Sequence, residues 1–210
     1  MVDVWTVVRT ERRALVADLE SLSATQWATP SLCGGWTVHD VVGHVVDTAL
    51  TSRLRFVRDM VRARFDFDQQ NQVGMERARG AAPGETLDRL RASVDLRLTP
   101  PAPLATRLVE AIVHGEDIRR PLALRHAYDT DAVVEAFRCQ ARTSASMGGA
   151  KTLLADLRLS ATDAELVHGD GPSVEGPALE LLLASCGRAV ALDRLSGPGL
   201  ATLRERLDTT

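Results

Sequence analysis

Thr37-Val38-His39-Asp40-Val41-Val42-Gly43-His44-Val45-Val46-Asp47 is the stretch that decides the fold. Its valines at 38, 41, 42, 45 and 46 follow the three-and-four step of an amphipathic helix. Thr37 with Asp40 three residues on is a capping box, in which each side chain satisfies the other residue's backbone N–H. Trp36, just ahead of the cap, is placed to staple against Val41. Leu50, Leu54, Val57 and Val61 prolong the apolar side and no proline intervenes, so the spacing predicts one helix from Thr37 or Val38 to about Arg64. Beside the valines runs a second stripe, Thr37, Asp40, His44, Asp47 and Thr51, every member of which is polar.

Working outward, Val4, Val7, Val8, Leu15, Leu19 and Leu22 predict a first amphipathic helix, followed by a loop rich in turn formers. Residues 65–82 are polar, with a short helix expected around Val73 to Arg79. Leu87, Leu90, Val94 and Leu98 place a helix over 85–98, which Pro100, Pro101 and Pro103 break. A further helix starts at or just after Pro103 and runs to about Ile118 or Arg120, before Pro121. Another covers 129–146 and stops at Met147-Gly148-Gly149.

Beyond that point the pattern changes to short alternating stretches over 153–162, 165–168 and 173–175, then a leucine-rich helix after Gly176-Pro177 and a last short helix. The expected fold is mainly α: a helical bundle over residues 1–148 and a small α+β domain over 149–210.

Composition narrows the function classes. The chain has 210 residues, 45% of them hydrophobic, enough for a sizeable core. Its net charge of −3 is spread without blocks of one sign, which argues against nucleic acid and against a membrane surface as partners. The first twenty residues carry Arg9, Glu11, Arg12 and Arg13 and so do not read as a signal peptide, and a cytosolic protein is expected. Cys33, Cys139 and Cys186 are odd in number and widely spaced, the usage of reduced, structural thiols.

The chemistry lies in His44, Glu110 and His114. Glu110 and His114, at i and i+4, share the polar stripe Thr106, Glu110, His114 and Asp117, and their side chains reach one point in space. Two histidines and one carboxylate form the open ligand set of a catalytic divalent metal, with positions left for water or substrate. The same pair also occurs as an ordinary exposed helix contact worth a few tenths of a kcal/mol, so spacing alone leaves both readings open. His39, five residues from His44, faces another side of its helix.

Cys33-Gly34-Gly35-Trp36-Thr37-Val38-His39-Asp40-Val41-Val42-Gly43-His44, together with Glu110-Ala111-Ile112-Val113-His114-Gly115-Glu116-Asp117-Ile118-Arg119-Arg120-Pro121-Leu122, resembles the actinobacterial mycothiol-dependent maleylpyruvate isomerase family. That family belongs to the DinB-like metalloenzymes, whose fold is a four-helix bundle. Residues 163–172 and Cys186-Gly187-Arg188 resemble its smaller carboxy-terminal domain.

The resemblance implies a metal centre of His44, Glu110 and His114, with zinc as the expected ion, and mycothiol as thiol cosubstrate. It implies a small electrophilic or unsaturated substrate, undergoing either cis-trans isomerisation or S-transfer, and Arg188 as a catalytic arginine. Arg119 and Arg120 are candidates for gripping a carboxylate of the cofactor, although arginines near a helix end also complement its dipole. Asp117 either orients His114 or caps the helix and pairs with Arg120. A monomer or homodimer is expected. Two other classes stay open: a hydrolase in which the same ion activates water, and a non-catalytic metal or metabolite binder.

Overall fold

The computed structural model describes residues 2–209 and divides into two compact units, one spanning Asp3–Ala127 and the other Tyr128–Thr210. Each is built on a different principle.

The amino-terminal unit is a four-helix bundle of α1 (Val4–Leu19), α3 (Val38–Leu50), α6 (Pro83–Ser93) and α7 (Thr106–Arg119). Helices α1 and α3 each pack against both α6 and α7, which closes the ring of four. Three shorter helices fill the connections: α2 (Ala24–Trp27), α4 (Arg53–Arg62) and α5 (Phe67–Ala78). The valine stripe of α3 is the centre of the core. Val38, Val41, Val42 and Val46 are fully buried among Leu15, Leu19, Trp27, Leu90 and Ile118. The capping box forms as the sequence predicts: Thr37 accepts from the Asp40 backbone N–H while Asp40 accepts from that of Thr37 at 2.9 Å. Pro83 opens α6 at its first turn, where its missing N–H costs nothing.

The expected continuous helix over 37–64 does not form. Thr51 is extended, and Ser52 caps a new helix, α4, by accepting from the Arg55 backbone N–H. Thr51-Ser52 is a good stop-and-start pair, and the ion pairs beyond it favour the break. Asp47 on α3 and Asp59 on α4 share Arg77 of α5, at 2.9 and 3.0 Å, and Arg55 reaches Asp47 at 2.5 Å. The polar side of α4 therefore faces the protein. Leu54, Val57 and Val61, read from periodicity as core, are exposed. The polar segment 65–82 also departs from expectation, since α5 is a full three turns, capped by Asp66, and packs along α3. Short α2, with its own Ser23–Gln26 capping box, lies within what reads as loop.

The carboxy-terminal unit combines α8 (Thr130–Arg142), α9 (Ala178–Ser185) and α10 (Leu200–Asp208) with a three-stranded sheet. Strand β1 (Arg158–Ala161) lies between β2 (Val167–His168), antiparallel to it, and β3 (Ser173–Gly176), parallel to it. Leu159 pairs in register with Val174, and both are fully buried under α9, whose Leu181, Leu182 and Leu183 complete this core. Gly148 takes a left-handed φ of 72° after the turn that follows α8. The units divide after Ala127, earlier than the sequence boundary at 148, because α8 packs on α9.

Candidate metal centre

The polar stripes of α3 and α7 face each other within the bundle. His44 reaches in from the second turn of α3, where the capping box fixes the helix start, and is only 4% exposed. From α7, Glu110 and His114 project one turn apart, as their spacing requires. His44 Nε2 lies 3.5 Å, and His114 Nε2 3.4 Å, from the same oxygen, Glu110 Oε2. The imidazole rings stand nearly perpendicular, their centroids 4.8 Å apart. All three predicted ligands therefore meet at one point.

The separations themselves fit an ion. Two ligand atoms on one tetrahedral ion, each bonded at about 2.1 Å, lie about 3.4 Å apart. Such contacts are too long for good hydrogen bonds, and Glu110 Oε2 is buried with no hydrogen-bond partner among the described residues. An oxygen in that position is costly to leave unsatisfied, and a divalent ion between it and the two Nε2 atoms would satisfy it. Burial alone would raise the Glu110 carboxyl, but His114 and His44 outweigh it and hold the group well below the usual carboxylate range. The ligand is thus an anion, the form that metal binding needs.

The far side of His114 is equally well built. Its Nδ1 lies 2.9 Å from Oδ2 of Asp117, a fully buried residue one turn on. With the carboxylate accepting, the proton sits on Nδ1 and the Nε2 lone pair points at Glu110 and His44, the tautomer that a metal-bound histidine requires. Of the two roles expected for Asp117, orienting His114 is observed, while Arg120 Nε donates to Glu116 at 2.6 Å. Burial would lower the His114 pKa, yet Asp117, Cys33 and Glu110 together raise it well above the ordinary value, so a metal ion binding here would displace the Nε2 proton to take that lone pair.

Cys33, taken from sequence as structural, belongs to this second tier. Its thiol donates to Asp117 Oδ2 at 3.3 Å and stands 4.0 Å from His114 Nδ1. The loop before α3 is tied to α7 there, since the Leu32 backbone N–H also donates to the Asp117 carbonyl at 3.2 Å. Nothing in its spacing sets Cys33 apart, because the contact spans 81 residues. Trp36 has a similar surprise: its ring lies 5.2 Å from that of His44, walling the site, while its Nε1–H donates to Gln72.

The remaining histidines are used elsewhere. His39 Nε2 is 2.7 Å from the Thr86 hydroxyl and its ring meets Trp27 edge-on. His126 Nε2 is 2.7 Å from Glu11, and the His168 ring lies against Phe137. Arg119 is fully buried, donating through Nε to Asp18 at 2.7 Å and lying 4.0 Å from Glu11, which ties α7 to α1. Arg120, already noted, pairs within its own helix. Arg188 lies in the carboxy-terminal unit, at the head of the short helical turn Ala189–Arg194, and donates to the Cys186 carbonyl.

Residues 8–102 match the family model described as the mycothiol maleylpyruvate isomerase N-terminal domain. The matched segment includes His44 and ends before Glu110 and His114. Two crystal structures are similar over 93% of this chain and 92% of theirs at 15% identity. One is of the mycothiol-dependent maleylpyruvate isomerase, with a TM-score of 0.61, and the other of a histidine-to-alanine mutant of it, at 0.60. No curated protein matches the chain. Residues 8–102, somewhat under half of the chain, thus resemble the mycothiol maleylpyruvate isomerase N-terminal domain, and over 93% of its length the chain has the fold of a mycothiol-dependent maleylpyruvate isomerase.

Proposed function

We propose that this chain is a metal-dependent, mycothiol-using enzyme that acts on a small electrophilic or unsaturated substrate, either as a cis-trans isomerase or as a thiol S-transferase. The observation that supports it most is the convergence of His44 Nε2 and His114 Nε2 on Glu110 Oε2 at 3.5 and 3.4 Å, in a chain with a thiol-dependent isomerase among its structural neighbours.

His44, Glu110 and His114 would hold a divalent ion, zinc by preference, and such an ion supplies Lewis acidity that lowers a bound thiol's pKa, so that thiolate is available near neutral pH. Glu110 contributes its negative charge, and His114 contributes a lone pair fixed by the proton that Asp117 holds on Nδ1. Trp36 and the buried valines of α3 keep bulk water away from His44. Addition of a thiolate to a conjugated double bond gives an enolate in which the former double bond rotates freely. Expulsion of the thiolate then restores the alkene in the other geometry, whereas protonation of the enolate carbon with the sulfur retained completes an S-transfer. Arg188 keeps the catalytic role that the resemblance implies as part of this proposal.

The test pairs metal analysis of the purified protein with a screen of electrophiles and cis-enoic acids, each with and without mycothiol, read by mass spectrometry. A stable adduct identifies a transferase, and altered geometry at unchanged mass identifies an isomerase. Turnover of an ester or amide at full rate without thiol would overturn the proposal in favour of a metal hydrolase.

A further inference from the structure

Helix α4 carries apolar residues on its outer side, the reverse of a surface helix that turns them to the core. Its buried positions are Asp59 and Met60, while Leu54, Val57 and Val61 follow one another at steps of three and four along the solvent side. Phe65, in the turn that ends the helix, extends the row. Leu54 is 86% exposed and Phe65 73%, so neither has a protein wall beside it, and the row is a ridge and not a groove. Arg64 and Phe65 both have left-handed φ, 54° and 64°, a conformation that glycine adopts freely and a bulky side chain rarely. The chain thus keeps an exposed aromatic at a helix end where glycine would be the easier residue.

Arginines border the ridge. At helical spacing Arg58 and Arg62 lie along one flank and Arg53 along the other, with Arg64 next to Phe65, and all four are exposed. Arg58 and Arg62 reach Asp59 at 2.9 and 4.0 Å, while Arg53 and Arg64 have no ion pair among the described residues. Asp59 is shared with Arg55 and Arg77 as well, so the flanks stay positively charged. Asp66 and Asp68 follow the ridge, but they belong to the start of α5, where Asp66 caps the helix. A second copy of the chain laid antiparallel on this ridge would set Arg58 and Arg62 against their own counterparts, and such like-charge contacts disfavour it. A planar anionic surface fits both features: the apolar row sinks to the headgroup level, and arginines on either side reach the phosphates.

We infer that the outer face of α4 docks the protein on an anionic lipid bilayer, the apolar ridge entering the headgroup layer and the four bordering arginines pairing with lipid phosphates. The association is peripheral and reversible, because one short amphipathic face is a weak anchor. No helix among the described residues is long and apolar enough to cross a membrane. The docking face is independent of the chemistry proposed for the metal centre, whose ligands stand on α3 and α7. Whole-chain charge argues the other way only because −3 is an average over 210 residues, whereas the arginine border is local.

The experiment is co-sedimentation of the whole purified chain with vesicles of phosphatidylcholine alone and of phosphatidylcholine mixed in equal parts with phosphatidylglycerol. Wild type should sediment with the mixed vesicles, stay in solution with phosphatidylcholine alone, and be released at high salt. Arg53→Gln combined with Arg64→Gln should weaken binding by about fivefold for each arginine, with metal content and melting temperature unchanged, since neither side chain holds an ion pair in the fold. Phe65→Gly should bind less while melting at or above the wild-type temperature, because glycine relieves the left-handed φ. Lost docking is thereby separated from lost folding. No sedimentation of wild type with the mixed vesicles, equal sedimentation with phosphatidylcholine alone, or undiminished binding by either variant would each overturn the inference. Sedimentation equilibrium on the same samples covers the other occupant: a wild-type dimer that Phe65→Gly dissociates, without vesicle binding, would assign the face to a second copy and overturn it too.

Discussion

His114 Nδ1 and Asp117 Oδ2 are 2.9 Å apart in the floor of the bundle, and this contact decides which nitrogen of His114 faces the other two ligands. Replacing Asp117 by Asn removes the charge that holds the proton on Nδ1 while keeping the shape. Metal affinity should fall by about ten- to a hundredfold, as for other carboxylates behind a ligating histidine. Competition against a chromophoric chelator measures it, and an unchanged affinity would remove Asp117 from the site.

The capping box at Thr37 and Asp40 sets the start of α3 and, through it, the position of His44. Thr37→Ala should cost about 1 kcal/mol, seen as a lower urea midpoint at an unchanged slope. A larger loss with a changed slope would mean that α3 unravels beyond its cap.

Acid sensitivity should trace to the same box. Burial alone would raise the Asp40 pKa, but the Thr37 hydroxyl and amide and Arg79 outweigh it and hold the carboxyl below its ordinary value of 3.8. A carboxyl depressed on folding stabilises the native state above its unfolded pKa, and that contribution is lost as pH falls through the folded one. Urea midpoints of the wild type should therefore drop, as the pH falls below roughly 4, more steeply than those of Asp40→Asn. Parallel curves would show that Asp40 is not the group responsible.

Gly74 of α5 presses against the Asp47 carboxylate on α3, where a methyl group would collide. Gly74→Ala should lower stability by about 1–3 kcal/mol through overpacking, and should shift α4 as well, because Asp47 also holds Arg55 and Arg77. Thermal melts and exchange protection of the α4 amides report the two effects. Protection that stays at the wild-type level would show that α4 is anchored by something other than the Asp47 network.

The parts legible in the sequence are those set by local physics. Valine periodicity, the Thr37–Asp40 box and the i, i+4 spacing of Glu110 and His114 each concern a single helix, and each appears as read. Where long-range charge competes with periodicity, the reading fails. The apolar positions of 54–61 would continue α3, but Asp47, Asp59, Arg55 and Arg77 turn the polar side of α4 inward. The role of Cys33 is not legible for a related reason: its contact with His114 spans 81 residues of sequence. Asp117, by contrast, lies on the polar stripe that the spacing of α7 predicts, and the structure shows His114 as its partner.

Metal stoichiometry tests the central claim most directly. Elemental analysis of protein purified without added metal should give close to one divalent ion per chain for the wild type, and well below one for His44→Ala and for His114→Ala, each still folded by circular dichroism. Full occupancy in both variants would contradict the assignment of His44, Glu110 and His114 as the metal centre.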